Sequence, residues 1–510
     1  MKQTITLLFF AVFTTLLSAQ TVSIQGGSSY ATITAAITAA VDGDVILISG
    51  IFTEPITIAK SITLRGTNPA TDIIQAAASP GTGGTGSRVI NIGAATAAAL
   101  NVTVENLTIR NGNFNANGGG INVDKVTGLV ALNNLIITNN HTTTNGGALG
   151  IAGANVNVTN CLLESNTAIT DGGAIIAAPN NGAAVDNIVN IKQTLINNNT
   201  GRNGGGIYIN GNLNFGNTYK IAVNIENSTI ASNTATSIAT GNGGGAILSL
   251  SQPLLPASTT GNVTISLVHV TMYNNFHAGL TKAGIQFLAP TATTPTNFSA
   301  YNSIIVGNDD VTVTGTKAIN FANSNTTKVV NCILGGTNLP PTIVSDPVPN
   351  ANNNEAGKTA TYAGLDVAGG LQDLGGKTKV LPLLTATKAV NFCTAATGIS
   401  IPTIDQRGYT KTGAFDAGAF ELGATLSVDN KMYNANSVDV YPNPASNRVN
   451  IKSLNAISKI NIYDVSGKQV FKSNVNSKND SIDISNLSRG IHLMVIESEG
   501  QKTVKRLIVK

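Results

Sequence analysis

An internal repeat places the strongest constraint on how this chain can fold. A unit resembling Asn-x-x-(Ile/Leu/Met)-x-x-Asn recurs eight times, and successive copies of its apolar residue lie 28, 26, 33, 34, 42, 33 and 29 residues apart. These apolar anchors are Ile109, Ile137, Leu163, Ile196, Ile230, Met272, Ile305 and Leu334. Periods of 20 to 50 residues are typical of solenoids, in which each repeat forms one coil and stacks on its neighbours.

The first position of the unit is Asn in six of the eight copies. Because stacked coils bring equivalent residues one above another, we expect these amides to form a ladder of hydrogen bonds between coils. The predicted ladder is Asn106, Asn134, Asn160, Gln193, Asn227, His269, Asn302 and Asn331.

A second motif, Asn-Gly-Gly followed by a small and an apolar residue, alternates with the first. It begins at Asn117, Asn145 and Asn203, with Asp171 and Gly243 in its first position in two other copies. Paired glycines suit corners that need positive φ or close backbone approach. Two motifs in step, separated by short runs rich in Ile, Val and Thr, predict an all-β solenoid with at least two strands per coil.

Only the region near the N-terminus shows helical periodicity. Ser29 can cap a helix with Ile33, Ala36, Ile37 and Ala40 on one face, ending at Gly43. We expect this helix to close the open end of the first coil.

Charge and composition exclude several classes of function. Only 11% of the residues are charged and the net charge is +4. Six acidic and six basic side chains are scattered between Asn101 and Ala300. The chain therefore offers no basic stripe for a nucleic acid and no polybasic membrane patch, and neither partner is predicted.

The N-terminus indicates export. Lys2, an apolar run from Leu7 to Leu17 and the small residues Ser18-Ala19 predict a secretory signal peptide over residues 1–19. No later run is long enough for a transmembrane helix. The three cysteines, Cys161, Cys332 and Cys393, show no metal-ligand spacing, and we expect neither a metal site nor a cofactor.

The run from Tyr30 to Gly66, with Gly43-Asp44-Val45-Ile46 and Ile62-Thr63-Leu64-Arg65-Gly66, resembles the opening of right-handed β-helix proteins of the pectate-lyase-like superfamily. Residues 369–421, with Asp405-Gln406-Arg407-Gly408 and Asp416-Ala417-Gly418-Ala419-Phe420-Glu421, resemble the choice-of-anchor tail that often follows such helices. Asp405, Arg407 and Asp416 are interpreted as a structural ion-pair cluster. The resemblance implies a right-handed parallel β-helix.

Residues 438–510 resemble the type-A C-terminal sorting domain of the type IX secretion system. The motif residues are Tyr441, Pro442, Asn443, Pro444, Gly467 and Gly490. Alternating strands and glycine turns here predict a small β-sandwich. The resemblance implies that the type IX secretion machinery is a partner, and that the chain passes through the periplasm to the outer-membrane surface or the medium.

Catalytic residues are hard to find in this sequence. Asp309 and Asp310 are the only adjacent acidic pair in the helical region, and His277 lies one coil earlier. A polar turn is the simpler interpretation of the acidic pair. Fold alone does not give function, so a lyase or hydrolase must be argued from its catalytic residues. The sequence shows no cluster of carboxylates with a base that would indicate either enzyme.

Five segments are predicted: a signal peptide (1–19), the β-helix with its helical cap (20–340), C-terminal coils with the anchor-like tail (341–424), a linker (425–437) and the sorting domain (438–510). The residues favour a non-catalytic surface protein, adhesin-like or glycan-binding, whose expected partner is a polysaccharide or a host or matrix surface. The alternatives are a polysaccharide lyase or glycoside hydrolase acting in the groove of the β-helix, and a purely structural coat protein.

Overall fold

The computed structural model describes residues 20–425 and 438–510, with gaps at 181–184, 212–218, 239–242, 252–261, 279–282, 289–295, 309–316, 321–323, 337–351, 396–398, 465–466 and 499–500. The predicted signal peptide and most of the predicted linker lie outside the described residues. The chain divides into two compact units, residues 1–426 and 427–510.

The first unit is a parallel β-helix built from three long columns of strands, here called A, B and C. Column A contains Val45–Ser49, Thr63–Arg65, Val102–Glu105, Asn187–Lys192, Thr296–Tyr301 and Ser324–Val330. Column B contains Ile51–Thr53, Ile73–Gln75, Thr108–Arg110, Ile136–Thr138, Leu162–Glu164, Leu195–Asn197, Ile304–Val306 and Ile333–Leu334. Column C contains Ile56–Ile58, Ile90–Ile92, Ile175–Ala178, Ile207–Asn210, Ile247–Leu250, Ala283–Leu288 and Lys317–Asn320.

Four longer strands turn a corner and contribute to two columns. Ile121–Asn133 and Leu149–Thr159 run through columns C and A, and Ile221–Ala231 and Val263–Tyr273 run through A and B. A fourth, short column D contains Asn113–Phe114, His141–Thr142, Thr167–Ala168, Thr200–Gly201, Thr234–Ala235 and Phe276–His277.

The predicted repeat register is confirmed. The eight apolar anchors lie in column B and pair in parallel, each with the next, from Ile109–Ile137 through to Ile305–Leu334. All eight are 0% exposed. Because alternate side chains of a strand point inward, the stack of anchors forms one wall of a continuous apolar interior.

A second stack of amides lies inside the coil, three residues after the anchors. Asn140, Asn166, Asn199, Asn233 and Asn275 are each at most 1% exposed. Each side-chain Nδ2 donates to the Oδ1 of the next Asn at 2.7 to 3.0 Å, ending at Asn308. The same Oδ1 also accepts from the backbone N–H of the preceding member.

The NH₂ groups of these amides also donate hydrogen bonds to main-chain carbonyls. Asn233, for example, also donates to the carbonyls of Ile196 and Ala231, each at 3.0 Å. The interior therefore holds a column of polar groups in which each amide has partners above, below and within its own coil. We call Asn140 to Asn308 the inner ladder.

The N-terminal cap forms, but not where the sequence predicted. Ser29 is not the cap, because Ser29–Tyr30 pairs antiparallel with Thr21–Ile24. The helix instead spans Ile33–Ala39, with Thr32 as N-cap, and it ends before Gly43.

Charged side chains from the first coil hold both ends of this helix. The Glu54 carboxylate accepts from the backbone N–H groups of Ile33 and Thr34, each at 2.9 Å. The Lys60 ammonium donates to the carbonyls of Ile37, Thr38 and Ala40. A negative group at the N-terminus and a positive group at the C-terminus both complement the helix dipole.

The second unit is an antiparallel sheet of five strands: Val438–Tyr441, Arg448–Tyr463, Gln469–Asp483, Gly490–Ser498 and Gln501–Val509. It encloses its own apolar core, which includes Val449, Ile460, Ile462 and Met494. The predicted fold class, a parallel β-helix with a small C-terminal β domain, is confirmed.

Replacing Asn233 by Ala tests the inner ladder. The change removes the partners of two neighbouring amides inside the coil, and each buried unsatisfied polar group costs about 1–3 kcal/mol. We expect the midpoint of urea unfolding, followed by circular dichroism, to fall clearly. The control, Asn197→Ala, removes one bond to Glu164 on the outer face of the preceding coil and should shift the midpoint far less; equal shifts would contradict a structural role for the ladder.

Candidate functional site

The residues of the predicted ladder form the corner between columns A and B. All eight have positive φ, between +45° and +58°. Asn adopts this left-handed conformation more readily than most residues, so the turn itself favours Asn there. The recurring Asn therefore reflects the backbone conformation of the corner as well as the predicted side-chain stacking.

Side-chain contacts along this corner are intermittent. Among the described residues, hydrogen bonds join Asn134 to Asn106 at 2.7 Å, and join Asn302 to both His269 and Asn331 at 2.9 Å. Neither side-chain atom of the buried Asn227 has a hydrogen-bond partner in the described part of the chain. The continuous ladder is the inner one, which sequence reasoning missed although its residues occupy the last position of the repeat unit.

Of the three catalytic candidates, only His277 lies among the described residues. Asp309 and Asp310 lie outside the described residues. His277 is in column D and is 1% exposed, so its ring lies inside the coil. His269 is also buried, its ring nitrogens contact the Gly418 carbonyl and the Asn302 amide, and burial holds its pKa well below the usual value.

Potential metal ligands are also dispersed. Within the described ranges, no group of three or more His, Cys, Asp or Glu side chains could hold a metal ion. Cys161, Cys332 and Cys393 are buried free thiols. Burial raises the pKa of Cys161 and Cys332 to about 12, so both are poor nucleophiles at neutral pH.

The anchor-like tail packs against the outer face of column B. Ile304, Val306 and Ile333 are buried in a separate apolar cluster with tail residues such as Leu365 and Phe420. Hydrogen bonds between tail and coils include Gln406 to Thr229, Ala419 to Thr271, Gly418 to Asn302, and Thr394 to Asn331. The tail therefore covers this face over several successive coils.

A cluster of buried charges holds the tail together. The Asp405 carboxylate pairs with the Arg407 guanidinium at 2.6 Å and also accepts from the backbone N–H groups of Arg407 and Tyr409. Asp416 accepts from the backbone N–H groups of Asn391 and Leu422. These contacts support the interpretation of the cluster as structural.

Two further residues of the cluster were not predicted. Glu421 is buried, accepts from the Asp416 backbone N–H at 3.0 Å, and its pKa is raised to about 7 by burial. The Lys411 amine lies 5.3 Å from the centre of the Phe415 ring and has no hydrogen-bond partner in the described part of the chain. Burial lowers its pKa to about 8. Their sequence signal was a charge in an otherwise apolar, glycine-rich stretch.

The residues of the predicted sorting motif lie where the second unit closes. The Asn443 side chain donates to the Arg506 carbonyl at 2.6 Å and accepts from the Ile508 backbone N–H at 2.9 Å. Gly467 and Gly490 have positive φ, which their turns require. Asn443 thereby joins the start of the unit to its last strand.

The outer face of column A is an open surface of short polar side chains. Its middle row is formed by successive paired residues: Thr103, Ala131, Asn157, Asn190, Asn224, Ser266 and Ser299. All seven are half-buried. Asn224 donates to Asn190, and Asn190 to Asn157, each at 2.9 Å.

Two pairs of opposite charges lie beside this row, and the exposed Lys328 continues the row after Ser299. Lys192 and Glu226 lie on adjacent coils, as predicted, with nitrogen and oxygen 3.2 Å apart. Arg65 contacts Glu105 further down the same side. The row from Thr103 to Ser299 is itself uncharged and can both donate and accept hydrogen bonds.

Comparisons with known proteins identify the second unit. Residues 439–510 match the family model of the secretion system C-terminal sorting domain. An endo-acting ulvan lyase of Formosa agariphila is 36% identical over 120 residues, which are 22% of this chain and 21% of that relative. The chain thus spans about a fifth of the length of that curated relative.

These findings establish the destination of the protein. A chain that carries this sorting domain is exported to the cell surface or the medium, and type IX secretion is its route. None of the helices in the described ranges has the length and apolar character needed to cross a membrane.

Replacing Glu421 by Gln tests the charge cluster. The folded pKa of Glu421, about 7, is above the ordinary value of 4.5, so its stabilising contribution is full below pH 4.5 and is lost as the pH rises to 7. The loss is on the order of 3 kcal/mol. We expect the thermal midpoint of the wild type to fall across this window, and Glu421→Gln to flatten the fall.

The control for this experiment is Glu226→Gln, which alters the surface pair with Lys192 and should retain the wild-type pH profile. A wild-type midpoint that rises between pH 4.5 and 7 would show that the charged form of Glu421 is the favoured one.

Proposed function

We propose that this exported chain is a non-catalytic, adhesin-like surface protein that binds neutral glycans along the outer face of column A. We further propose that residues 1–19 are a signal peptide, that the functional part is the β-helix (20–340) with its tail (341–424), and that a linker (425–437) connects it to the sorting domain (438–510).

The observation that carries this proposal is the row of amides and hydroxyls centred on Asn157, Asn190 and Asn224. A sugar hydroxyl both donates and accepts hydrogen bonds, and a primary amide can satisfy both roles. The amides are already aligned by their own hydrogen bonds, which reduces the entropy lost when a ligand binds.

Repetition compensates for weak individual contacts. One hydrogen bond contributes about 0.5–1.5 kcal/mol net, which is too little to hold a sugar alone. Equivalent residues on neighbouring coils are separated by about 4.8 Å, so an extended glycan can contact several of them at once. Binding to polymers should therefore be much tighter than binding to single sugars.

A second candidate function is polysaccharide cleavage by lyase or hydrolase chemistry. The similarity to the Formosa agariphila ulvan lyase favours it, although the match covers about a fifth of each protein. Among the described residues, His277 is 1% exposed, and no three His, Cys, Asp or Glu side chains form a group that could hold a metal ion.

A depolymerisation screen separates the two functions. The full exported chain is incubated with neutral and acidic polysaccharides, with and without calcium, while unsaturated and reducing ends are measured. We expect retention of neutral polysaccharide without cleavage. Cleavage that disappears in Asp309→Asn or Asp310→Asn would replace the adhesin-like function by the enzymatic one.

Replacing Asn190 by Leu tests the binding face. Leu has a similar volume but cannot hydrogen-bond, and the change also removes the alignment of Asn157. We expect affinity for neutral polysaccharide, measured by affinity electrophoresis, to fall about tenfold, which corresponds to about 1.4 kcal/mol. Asn197→Ala alters the column B face of the same coil and should bind like the wild type; equal losses in both variants would exclude column A as the binding face.

A further inference from the structure

A polar cavity of about 360 Å³ opens beside column C, away from the face discussed above. Its lining includes Arg88, Asn117, Asn122, Asp124 and Ala152. None of these residues belongs to the proposed binding face of column A, and only Asn117 belongs to a predicted sequence motif, as a corner residue.

The cavity exists because the outward side chains of column C are smaller in one coil than in the coil before it. Asn122 and Asp124 point outward in one coil, and the residues paired with them in the following coil are Gly150 and Ala152. A Cβ on Gly150 would lie 2.8 Å from the Gly118 nitrogen and 3.0 Å from the Asn122 Oδ1. Only glycine fits at this position, so the space above Asn122 is built into the stack.

Arg88 is held rigidly at one side of the cavity. Its Nη1 donates to the Asn91 Oδ1 at 2.8 Å, and its guanidinium lies 4.5 Å from the centre of the Phe114 ring. The side chain is half-buried. A guanidinium has five N–H donors in a fixed plane, so one bond to Asn91 leaves several for a ligand.

Asp124 supplies the opposite charge. Its carboxylate accepts a hydrogen bond from the Asn180 amide and lies 3.8 Å from the Lys125 ammonium. Arg88 and Asp124 line the same cavity, but no direct ion pair joins these two described residues. Burial lowers the pKa of Arg88 and the nearby Asp124 charge acts in the opposite direction, so the two groups interact across the space between them.

Two amides add one donor and one acceptor. The Asn117 Oδ1 already accepts from Thr144 and Asn145, which leaves its NH₂ group as a donor. The Asn122 NH₂ group donates to Asn91 at 3.0 Å, which leaves its Oδ1 as an acceptor. The cavity therefore offers both donors and acceptors, and Arg88 and Asp124 place opposite charges on its lining.

We propose that this cavity binds one neutral sugar unit, with Arg88 and Asp124 each contacting a pair of neighbouring hydroxyls and with Asn117 and Asn122 completing the contacts. Planar guanidinium and carboxylate groups present two donors or two acceptors side by side, which matches vicinal hydroxyls. Because Arg88 and Asp124 line the same cavity, a charged sugar attracted by one of them would also lie near the like charge of the other. The site is separate from column A and recognises a single ring, whereas column A is proposed to bind a polymer.

The test is ligand-observed NMR on the full exported chain with three probes: neutral hexoses, a uronic acid and an amino sugar. We expect saturable binding of at least one neutral hexose. Arg88→Met keeps an apolar side chain over Phe114 but removes the guanidinium. Asp124→Asn keeps the shape of the side chain but removes the negative charge of the carboxylate. Each should weaken binding at least tenfold, with the thermal midpoint checked to show that the variants fold.

Two controls separate this inference from the proposed function. Arg202→Met removes a surface arginine that pairs with Asp171, and Asn190→Leu alters column A; both should leave binding of the hexose unchanged. Binding that survives Arg88→Met and Asp124→Asn, a preference for the charged sugars, or binding of none of the three probes would overturn the inference. Retention of polysaccharide by column A is measured independently and would stand in each of those cases.

Discussion

The inner ladder is the interaction on which the rest of this structure depends. A buried amide without partners is costly, yet Asn166, Asn199 and Asn233 lie at the centre of an apolar interior. Each is tolerated because the next coil supplies an Oδ1 at the correct height, and because main-chain carbonyls take the remaining donor. A shift of one coil by a single residue would remove every one of these contacts, so the ladder fixes the register of the stack.

A fixed register explains how the length of chain between successive anchors can vary so widely. Between successive anchors the chain adds as few as 26 or as many as 42 residues, but the anchors still pair in parallel from coil to coil. Extra residues leave the stack between strands without disturbing it. The ends need separate protection: the helix Ile33–Ala39, held by Glu54 and Lys60, covers the first coil, and the tail binds along the side of the later coils.

The sequence predicted those features that depend on short-range pattern. The anchors, the coil register, the adjacency of Lys192 and Glu226 and the β character of both units follow from residue spacing. The predicted helix cap was Ser29, but the observed cap is Thr32. The antiparallel pairing of Ser29–Tyr30 with Thr21–Ile24 overrides the local preference of Ser29 for a capping position. The inner ladder was missed because two Asn positions recur with the same period, and spacing alone does not tell which of them points inward.

The tail could not be placed from sequence, since its contacts are long-range. Gln406 bonds Thr229, and Ala419 bonds Thr271, across separations of 177 and 148 residues. Its position has a functional consequence, because it buries the outer face of column B against its own apolar cluster. Columns A and C keep the outward rows that can meet a ligand. On column A these are aligned amides over successive coils, suited to an extended polymer, whereas on column C they line an open cavity next to Gly150, suited to one ring. Stacking of equivalent residues thus produces two kinds of surface. Outward side chains of similar size in successive coils form a continuous row, and a change to smaller side chains in the next coil forms a cavity.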